Sequence, residues 1–166
     1  INVAMPSTYR FLEKVIDEIG RMYQDAGVEL PAFHVGGDEV PEGIWEGSSI
    51  CRTFMKEHGL TKIRDLKDYF LGQILEMLDK HNIQAVGWQD IVMNPDNTVN
   101  EHFRHSKVLN YCWNTIPEQG GDEVPYKLAN AGYPIILCNV GNFYLDMAYC
   151  YHVEEPGLRW GGYVDE

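Results

Sequence analysis

The sequence predicts an α/β fold in which parallel strands are joined by helices. Helical and strand patterns alternate along the whole chain of 166 residues, and no repeat, low-complexity tract or linker divides them. The later strands, near Gln84, Val108 and Ile135, follow one another at steps of 24 and 27 residues, close to the roughly 30 residues of a strand–helix–strand unit. Such alternation is typical of a parallel sheet with crossover helices. We therefore expect one domain, or one part of a domain.

The first helix and strand are predicted from local signals. Residues 6–8 are typical of a helix start, with Ser7 or Thr8 as the N-cap. Apolar residues then recur at three- and four-residue steps, which is the spacing of one helix face, and Gly27 is suited to end the helix. Residues 31–35 are short, β-branched and aromatic, so we expect a buried strand there.

The remaining elements are predicted from apolar periodicity and from the Gly and Pro residues that flank it. Helices are expected near residues 49–57, 64–81 and 122–131. Strands are expected at residues 83–88, 107–113 and 134–138. Residues 93–104 are polar with weak structural signals, and a long loop is expected after the last strand.

Charge and composition exclude several kinds of partner. The chain has 25 acidic and 13 basic residues, which gives a net charge of −12. Nucleic acids and anionic membrane surfaces attract the opposite charge, and no apolar run approaches the roughly 20 residues of a membrane span. We therefore expect neither nucleic acid nor membrane as a partner. The four cysteines lack the spacing of a zinc or disulfide framework, so neither is expected. No metal and no cofactor are expected.

Unusual side chains follow the strands at their carboxyl ends. The first strand leads through two glycines to Asp38 and Glu39, and the next two strands end in Trp88 and Trp113. A solvated turn and core tryptophans are the alternative interpretations. However, sites in parallel α/β folds lie at this edge of the sheet. Aromatic rings cover the apolar faces of sugars, and carboxylates bind hydroxyls or move protons, so the pattern favours a sugar site.

These motifs resemble those of a known family. The segment HVGGDE resembles the His-x-Gly-Gly-Asp-Glu signature of glycoside hydrolase family 20, the β-N-acetylhexosaminidases. The blocks GWQD, NYCW, NFYLDMAY and EEPGLRWGGYVD are similar to the same family in the same order. The resemblance implies a (β/α)₈ TIM barrel, of which this chain carries approximately strands four to seven. Such barrels have about 250 residues, so we expect residues 1–166 to be a partial catalytic barrel domain without the first strands and the last strand. Those strands, from the rest of the parent chain, are expected partners, and this part alone is expected to be inactive.

The resemblance also implies a reaction and its catalytic residues. The family removes terminal non-reducing β-linked N-acetylhexosamine (GlcNAc or GalNAc) by substrate-assisted retaining catalysis through an oxazolinium intermediate. Adjacent residues of an extended chain point in opposite directions, so Asp38 and Glu39 do not suit the paired carboxyl groups of an ordinary retaining glycosidase. By resemblance, Glu39 is the general acid and then the base, Asp38 binds the acetamido N–H, and Tyr144 binds the acetamido oxygen. Trp88 and Trp113 line the pocket for the acetamido methyl group.

Further assignments follow from the same resemblance. Asp146 matches a position that binds outer hydroxyls of the terminal sugar. Trp160 matches a tryptophan that stacks on the leaving-group side in some members, with a packing role as the alternative. His34 is expected to support the catalytic residues through a hydrogen bond, and Trp45 is interpreted as loop packing. The implied partner is a carbohydrate substrate, either an N-acetylhexosamine-terminated glycan or a chito-oligosaccharide, and the implied location is exported or lysosomal.

Two other functions remain open at this point. One is a metal-dependent hydrolase that uses His34, Asp38 and Glu39, which needs further ligands of the right type nearby, whereas the next strand ends offer tryptophans. The other is an inactive or purely sugar-binding barrel that keeps the aromatic residues. The intact carboxylate pair favours the enzyme over this second alternative.

Overall fold

The structure, a computed structural model, describes residues 1–41 and 43–162. The helices are α1 (Pro6–Asp25), α2 (Ser49–Glu57), α3 (Ile63–Lys80), α4 (Val124–Asn130) and the one-turn α5 (Val140–Phe143). The strands are β1 (Ala32–His34), β2 (Gln84–Trp88), β3 (Leu109–Cys112) and β4 (Ile135–Leu137). They form one sheet in the order β1-β2-β3-β4, and β3 pairs in parallel with both β2 and β4. The predicted α/β class and strand order are confirmed. Within the described residues, no helix is both long and apolar enough to cross a bilayer.

The chain divides into two compact units. The first comprises Ile1–Val35 and Glu39–Ala85, and the second comprises Gly36–Asp38 and the chain from Val86 onward. In the first unit α1 packs on α3, which agrees with the apolar stripes predicted for both helices. A small apolar core nearby contains Val3, Ala4, Trp45, Cys51 and Leu66. This unit is therefore built mainly from helices whose apolar faces were predicted from the sequence.

The predicted N-cap of α1 is wrong. The helix begins two positions earlier than a Ser7 cap requires and three earlier than a Thr8 cap requires, with Met5 in the cap position and no side-chain cap hydrogen bond. Pro6 occupies the first turn, where its missing N–H leaves no donor to satisfy. The hydroxyl of Thr8 instead donates to the carbonyl oxygen of Asn2 at 2.7 Å. The hydroxyl thus ties the preceding segment to the helix.

The outer strands are less buried than the central strands. The expectation of a buried first strand is wrong, because Ala32 and Phe33 are only half-buried and His34 is exposed. In β4, Ile136 and Leu137 are 39% and 53% exposed, whereas most of β2 and alternate residues of β3 are buried. The outer strands each have one neighbour in the described sheet, and the central strands have two. The apolar composition of the outer strands therefore exceeds what the described residues bury.

The second unit contains three departures from the predicted elements. Lys107, expected to start a strand, has a left-handed φ of 55°, so β3 begins only at Leu109. The polar stretch before it includes a 3₁₀ helix at Glu101–Ser106. The loop expected after β4 begins with α5, and Tyr144 follows this helical turn directly. These differences change the local path of the chain but leave the strand order intact.

Candidate active site

Close backbone packing fixes the turn that precedes the two carboxylates. Gly36 and Gly37 have φ values of 71° and 102°, which L side chains rarely adopt. A Cβ atom on Gly37 would lie 1.9 Å from Cγ2 of Ile91. The backbone N–H of Trp88 donates to the carbonyl oxygen of Gly36 at 3.0 Å, and a Cβ atom on Gly87 would lie 3.1 Å from that same oxygen. Both the turn and the close approach therefore require glycine.

Asp38 and Glu39 leave this turn as exposed side chains. Glu39 has a φ of 48°, a left-handed conformation that is uncommon outside glycine and is enriched at functional sites. The assumption that the two carboxylates lie on extended backbone is therefore wrong at Glu39. The argument that their side chains must point in opposite directions loses its basis, and the family resemblance alone supports their separate roles.

The carboxyl ends of β2 and β3 carry neighbouring aromatic rings. Trp88 pairs in register with Tyr111, and the two rings meet edge to face with centroids 6.0 Å apart at 79°. Trp88 is half-buried, so part of its surface remains accessible. This geometry agrees with a tryptophan that lines a pocket at the strand end.

Side chains of the turn after β2 bind the residues that follow β3. This turn is a 3₁₀ helix at Gln89–Ile91. The indole N–H of Trp113 donates to Oδ2 of Asp90 at 2.8 Å. The backbone N–H of Asn114 donates to Oε1 of Gln89 at 3.3 Å, and Gln89 is only 5% exposed. Sequence reasoning did not single out Asp90 or Gln89, although both lie in the GWQD block, directly after a strand-end tryptophan.

Three aromatic side chains meet beyond β3 and form what we call the aromatic cluster: Trp113, Tyr144 and Trp160. The ring of Trp160 lies edge to face against Trp113, with centroids 6.1 Å apart, and against Tyr144, with centroids 6.0 Å apart. Tyr144 also packs on a small core of Ile116, Val140 and Met147. Trp160 remains 44% exposed. The structure thus brings together a predicted pocket residue, a predicted catalytic residue and the tryptophan whose role was left open.

Backbone pairing holds the segment that carries Asp146. The N–H of Leu158 donates to the carbonyl oxygen of Asp146 at 2.7 Å, and the N–H of Ala148 donates to the carbonyl oxygen of Leu158 at 2.8 Å. Gly157 allows this approach, since a Cβ atom there would lie 2.7 Å from the backbone nitrogen of Ala148. The side chain of Asp146 is exposed. The pairing joins the segment that follows Tyr144 to the segment that precedes Trp160.

The roles of His34 and Trp160, the two weaker site assignments, remain predictions. His34 is exposed on β1, and its supporting role remains a prediction. The end of the block that contains Trp160, residues 163–165, lies outside the described residues.

Within the part of the chain that the structure describes, no three His, Cys, Asp or Glu side chains are grouped as a metal site. The metal-dependent alternative therefore has no ligand set among these residues.

Comparisons with known proteins agree with the motifs. The family model described as glycosyl hydrolase family 20, catalytic domain, matches residues 1–166. The β-hexosaminidase of Vibrio furnissii is 31% identical over 163 residues, which cover 98% of this chain and 24% of that protein. The crystal structure of an inactive mutant of the Vibrio harveyi exo-β-N-acetylglucosaminidase matches with a TM-score of 0.79 and 29% identity, over 99% of this chain and 23% of that one.

The same Vibrio harveyi enzyme in complex with N-acetylglucosamine matches with a TM-score of 0.74 and 29% identity, again over 99% of this chain and 23% of that one. The chain therefore spans about a quarter of the length of these relatives. Its parallel sheet has the fold of part of their (β/α)₈ barrel. On the match of the whole chain, the protein belongs to glycosyl hydrolase family 20.

Proposed function

We propose that this chain carries the acid–base section of a β-N-acetylhexosaminidase site. The substrate is a glycan or chito-oligosaccharide that ends in non-reducing β-linked N-acetylhexosamine. The observation that carries the proposal is the Gly36-Gly37 turn, whose close packing against Ile91 presents Asp38 and Glu39 directly after β1. The complex of a family member with N-acetylglucosamine supports the same class of substrate. We further propose that a longer natural protein supplies the other barrel strands, so this section alone has no turnover.

The proposed reaction has two steps in which the substrate provides the nucleophile. In the first step Glu39 donates its proton to the glycosidic oxygen as the C1–O bond breaks, and the acetamido carbonyl oxygen bonds to C1. In the second step the Glu39 carboxylate takes a proton from water, whose oxygen attacks C1 and releases the acetamido oxygen. Two inversions at C1 give net retention. No covalent bond to the protein forms at any point.

Asp38 and Tyr144 act on the acetamido group in this proposal. The Asp38 carboxylate accepts a hydrogen bond from the acetamido N–H and stabilises the positive charge that develops as the oxazolinium ring closes. The Tyr144 hydroxyl donates to the acetamido oxygen, which orients it toward C1. Holding the acetamido oxygen close to C1 accelerates the first step strongly, because the reacting atoms need no further orientation. The contacts of Tyr144 with Trp160 and the small core support a fixed position for its ring.

The remaining side chains bind the sugar and the leaving group. Trp88 and Trp113 line the pocket for the acetamido methyl group, and Asp146 binds outer hydroxyls. Trp160 contacts the other two members of the aromatic cluster and keeps 44% of its surface exposed, so packing and leaving-group contact are compatible. His34 supports the catalytic motif through a hydrogen bond.

Substitution of the acid tests this proposal. In the full-length protein that contains this chain, Glu39→Gln should lower the turnover of N-acetyl-β-hexosaminides with poor leaving groups by about 10²–10⁴-fold. Activated aryl glycosides should lose much less, because their leaving groups depart without a proton. Glu57 is an exposed glutamate at the end of α2, so Glu57→Gln is the matched control and should leave both rates unchanged. Equal losses for both classes of leaving group would contradict the assignment of Glu39.

A further inference from the structure

We propose that Asp90 is a positioning residue that fixes the indole of Trp113 and thereby sets the size of the 2-acyl group that the site accepts. The inference rests on the proposed function, because it takes Trp113 as part of the acetamido pocket. It adds a residue that none of the motif-based assignments includes. The structural basis is the hydrogen bond between Trp113 and Asp90, together with separate hydrogen bonds that hold the backbone around Trp113.

The hydrogen bond joins the residues that follow two different strands. Asp90 lies in the 3₁₀ turn after β2, and Trp113 directly follows β3. The indole Nε1 and the carboxylate Oδ2 are 2.8 Å apart, a length typical of a bond to a charged acceptor. An indole has one N–H and no acceptor, so this bond distinguishes one orientation of the ring from the flipped one. Asp90 therefore restricts the rotation of the Trp113 side chain.

The backbone of Trp113 is held by other groups. Its carbonyl oxygen accepts from the N–H of Val140 at 3.0 Å. The next residue, Asn114, donates its backbone N–H to Oε1 of Gln89, and its side-chain Oδ1 accepts from the N–H of Ile116 at 3.1 Å. None of these bonds involves the carboxylate of Asp90. Loss of that carboxylate should therefore free the ring while the chain beside it stays in place.

The orientation of this ring matters for the size of the pocket. Trp113 is half-buried and meets Trp160 edge to face at 6.1 Å, so a flipped or tilted indole changes the space beside it. A ring held in one orientation leaves room for an acetyl group and excludes a longer acyl chain. A ring that moves tolerates the extra methylene. One methylene in such a pocket is typically worth about 10–200-fold in discrimination.

The test uses acyl-size selectivity in the full-length protein that contains this chain. The selectivity is the kcat/KM for an aryl 2-acetamido glucoside divided by that for the 2-propanamido glucoside. This ratio should fall about 10-fold in Asp90→Leu, because the leucine side chain is similar in size to aspartate but accepts no hydrogen bond. Asp90→Asn keeps an acceptor oxygen and should retain most of the wild-type ratio. Asp122→Asn, an exposed aspartate in the same unit, is the matched control and should leave the ratio unchanged.

A second readout does not depend on activity. After incorporation of 5-fluorotryptophan, the ¹⁹F resonance of Trp113, assigned from its absence in Trp113→Phe, should shift and broaden in Asp90→Leu and stay near its wild-type position in Asp90→Asn. If Asp90→Leu does not fold, Asp90→Ala replaces it in both measurements.

Two results would overturn the inference. One is an unchanged selectivity ratio with an unmoved Trp113 resonance. The other is an equal loss for both acyl substrates with the resonance in place, which would mean that Asp90 acts by another route. A wild-type protein that cleaves no 2-acetamido sugar would instead refute the proposed function, and the Trp113 resonance would still report on the hydrogen bond.

Discussion

Trp45 and Trp113 show how one residue type serves two regions of this chain differently. Trp45 lies in the first unit, is 8% exposed and packs with Val3, Cys51 and Leu66. Its indole N–H donates to the backbone carbonyl of Ile1 at 3.2 Å. Trp113 follows β3 in the second unit, is half-buried, and donates to the carboxylate of Asp90.

The difference is the one expected between a packing tryptophan and the pocket tryptophan proposed at position 113. A ring that is almost fully buried among apolar side chains contributes through the area removed from water. A ring that keeps part of its surface open, and whose N–H is held by a charged group, contributes less to stability and has a defined orientation. Burial and the hydrogen-bond acceptor agree with the interpretation of Trp45 as loop packing and support the role proposed for Trp113.

The largest expected effect of breaking this comparison is on stability. In the full-length protein, Trp45→Ala should lower the free energy of unfolding of the domain that contains it by about 3–5 kcal/mol, because the change leaves a cavity and removes a large buried ring. The kcat of the protein that remains folded should be unchanged. Urea denaturation followed by circular dichroism, with activity measured per folded molecule, checks this. A loss of kcat with full stability would show that Trp45 belongs to the site.

Trp113→Ala in the second unit should instead affect activity more than stability. Trp113→Ala should cost less stability than Trp45→Ala, since the ring is only half-buried. It should lower kcat/KM for 2-acetamido glycosides by about 10²-fold, the order expected when a reacting group is misplaced. Denaturation and steady-state kinetics on both variants measure the contrast directly. If both variants lose stability and activity in the same proportion, the two tryptophans do not differ in role.

Regular elements could be predicted from the sequence because their signals are local. The apolar spacing of α2 and α3 gave bounds that agree with Ser49–Glu57 and Ile63–Lys80 to within one residue. The N-cap of α1 could not be predicted, because Thr8 donates to Asn2 rather than capping the helix. Burial of β1 was overestimated, because apolar composition does not reveal how many neighbours a strand has.

Candidate site residues could be proposed from the sequence only where they stand in contiguous motifs with assigned roles. Asp38, Glu39 and the strand-end tryptophans stand in short blocks that can be recognised directly. Asp90 stands in the GWQD block, but its contact with Trp113 was missed because the two residues are 23 positions apart in sequence, and no local pattern connects an indole to a carboxylate at that distance. The left-handed backbone of Glu39 was missed for a different reason, since glutamate has no preference for positive φ.

The nucleophile itself provides the most direct test of the account. Full-length protein should be compared on two aryl β-glucosides that differ only at C2, one with an acetamido group and the other with a hydroxyl. If the acetamido oxygen attacks C1, the 2-hydroxyl substrate has no nucleophile, and its turnover should fall by more than the roughly 200-fold that a lost methylene can explain. A thiazoline mimic of the intermediate should inhibit, because binding follows resemblance to the high-energy species. Equal cleavage of both glucosides without inhibition by the thiazoline would mean that a protein group is the nucleophile and that the role proposed for Asp38 is wrong.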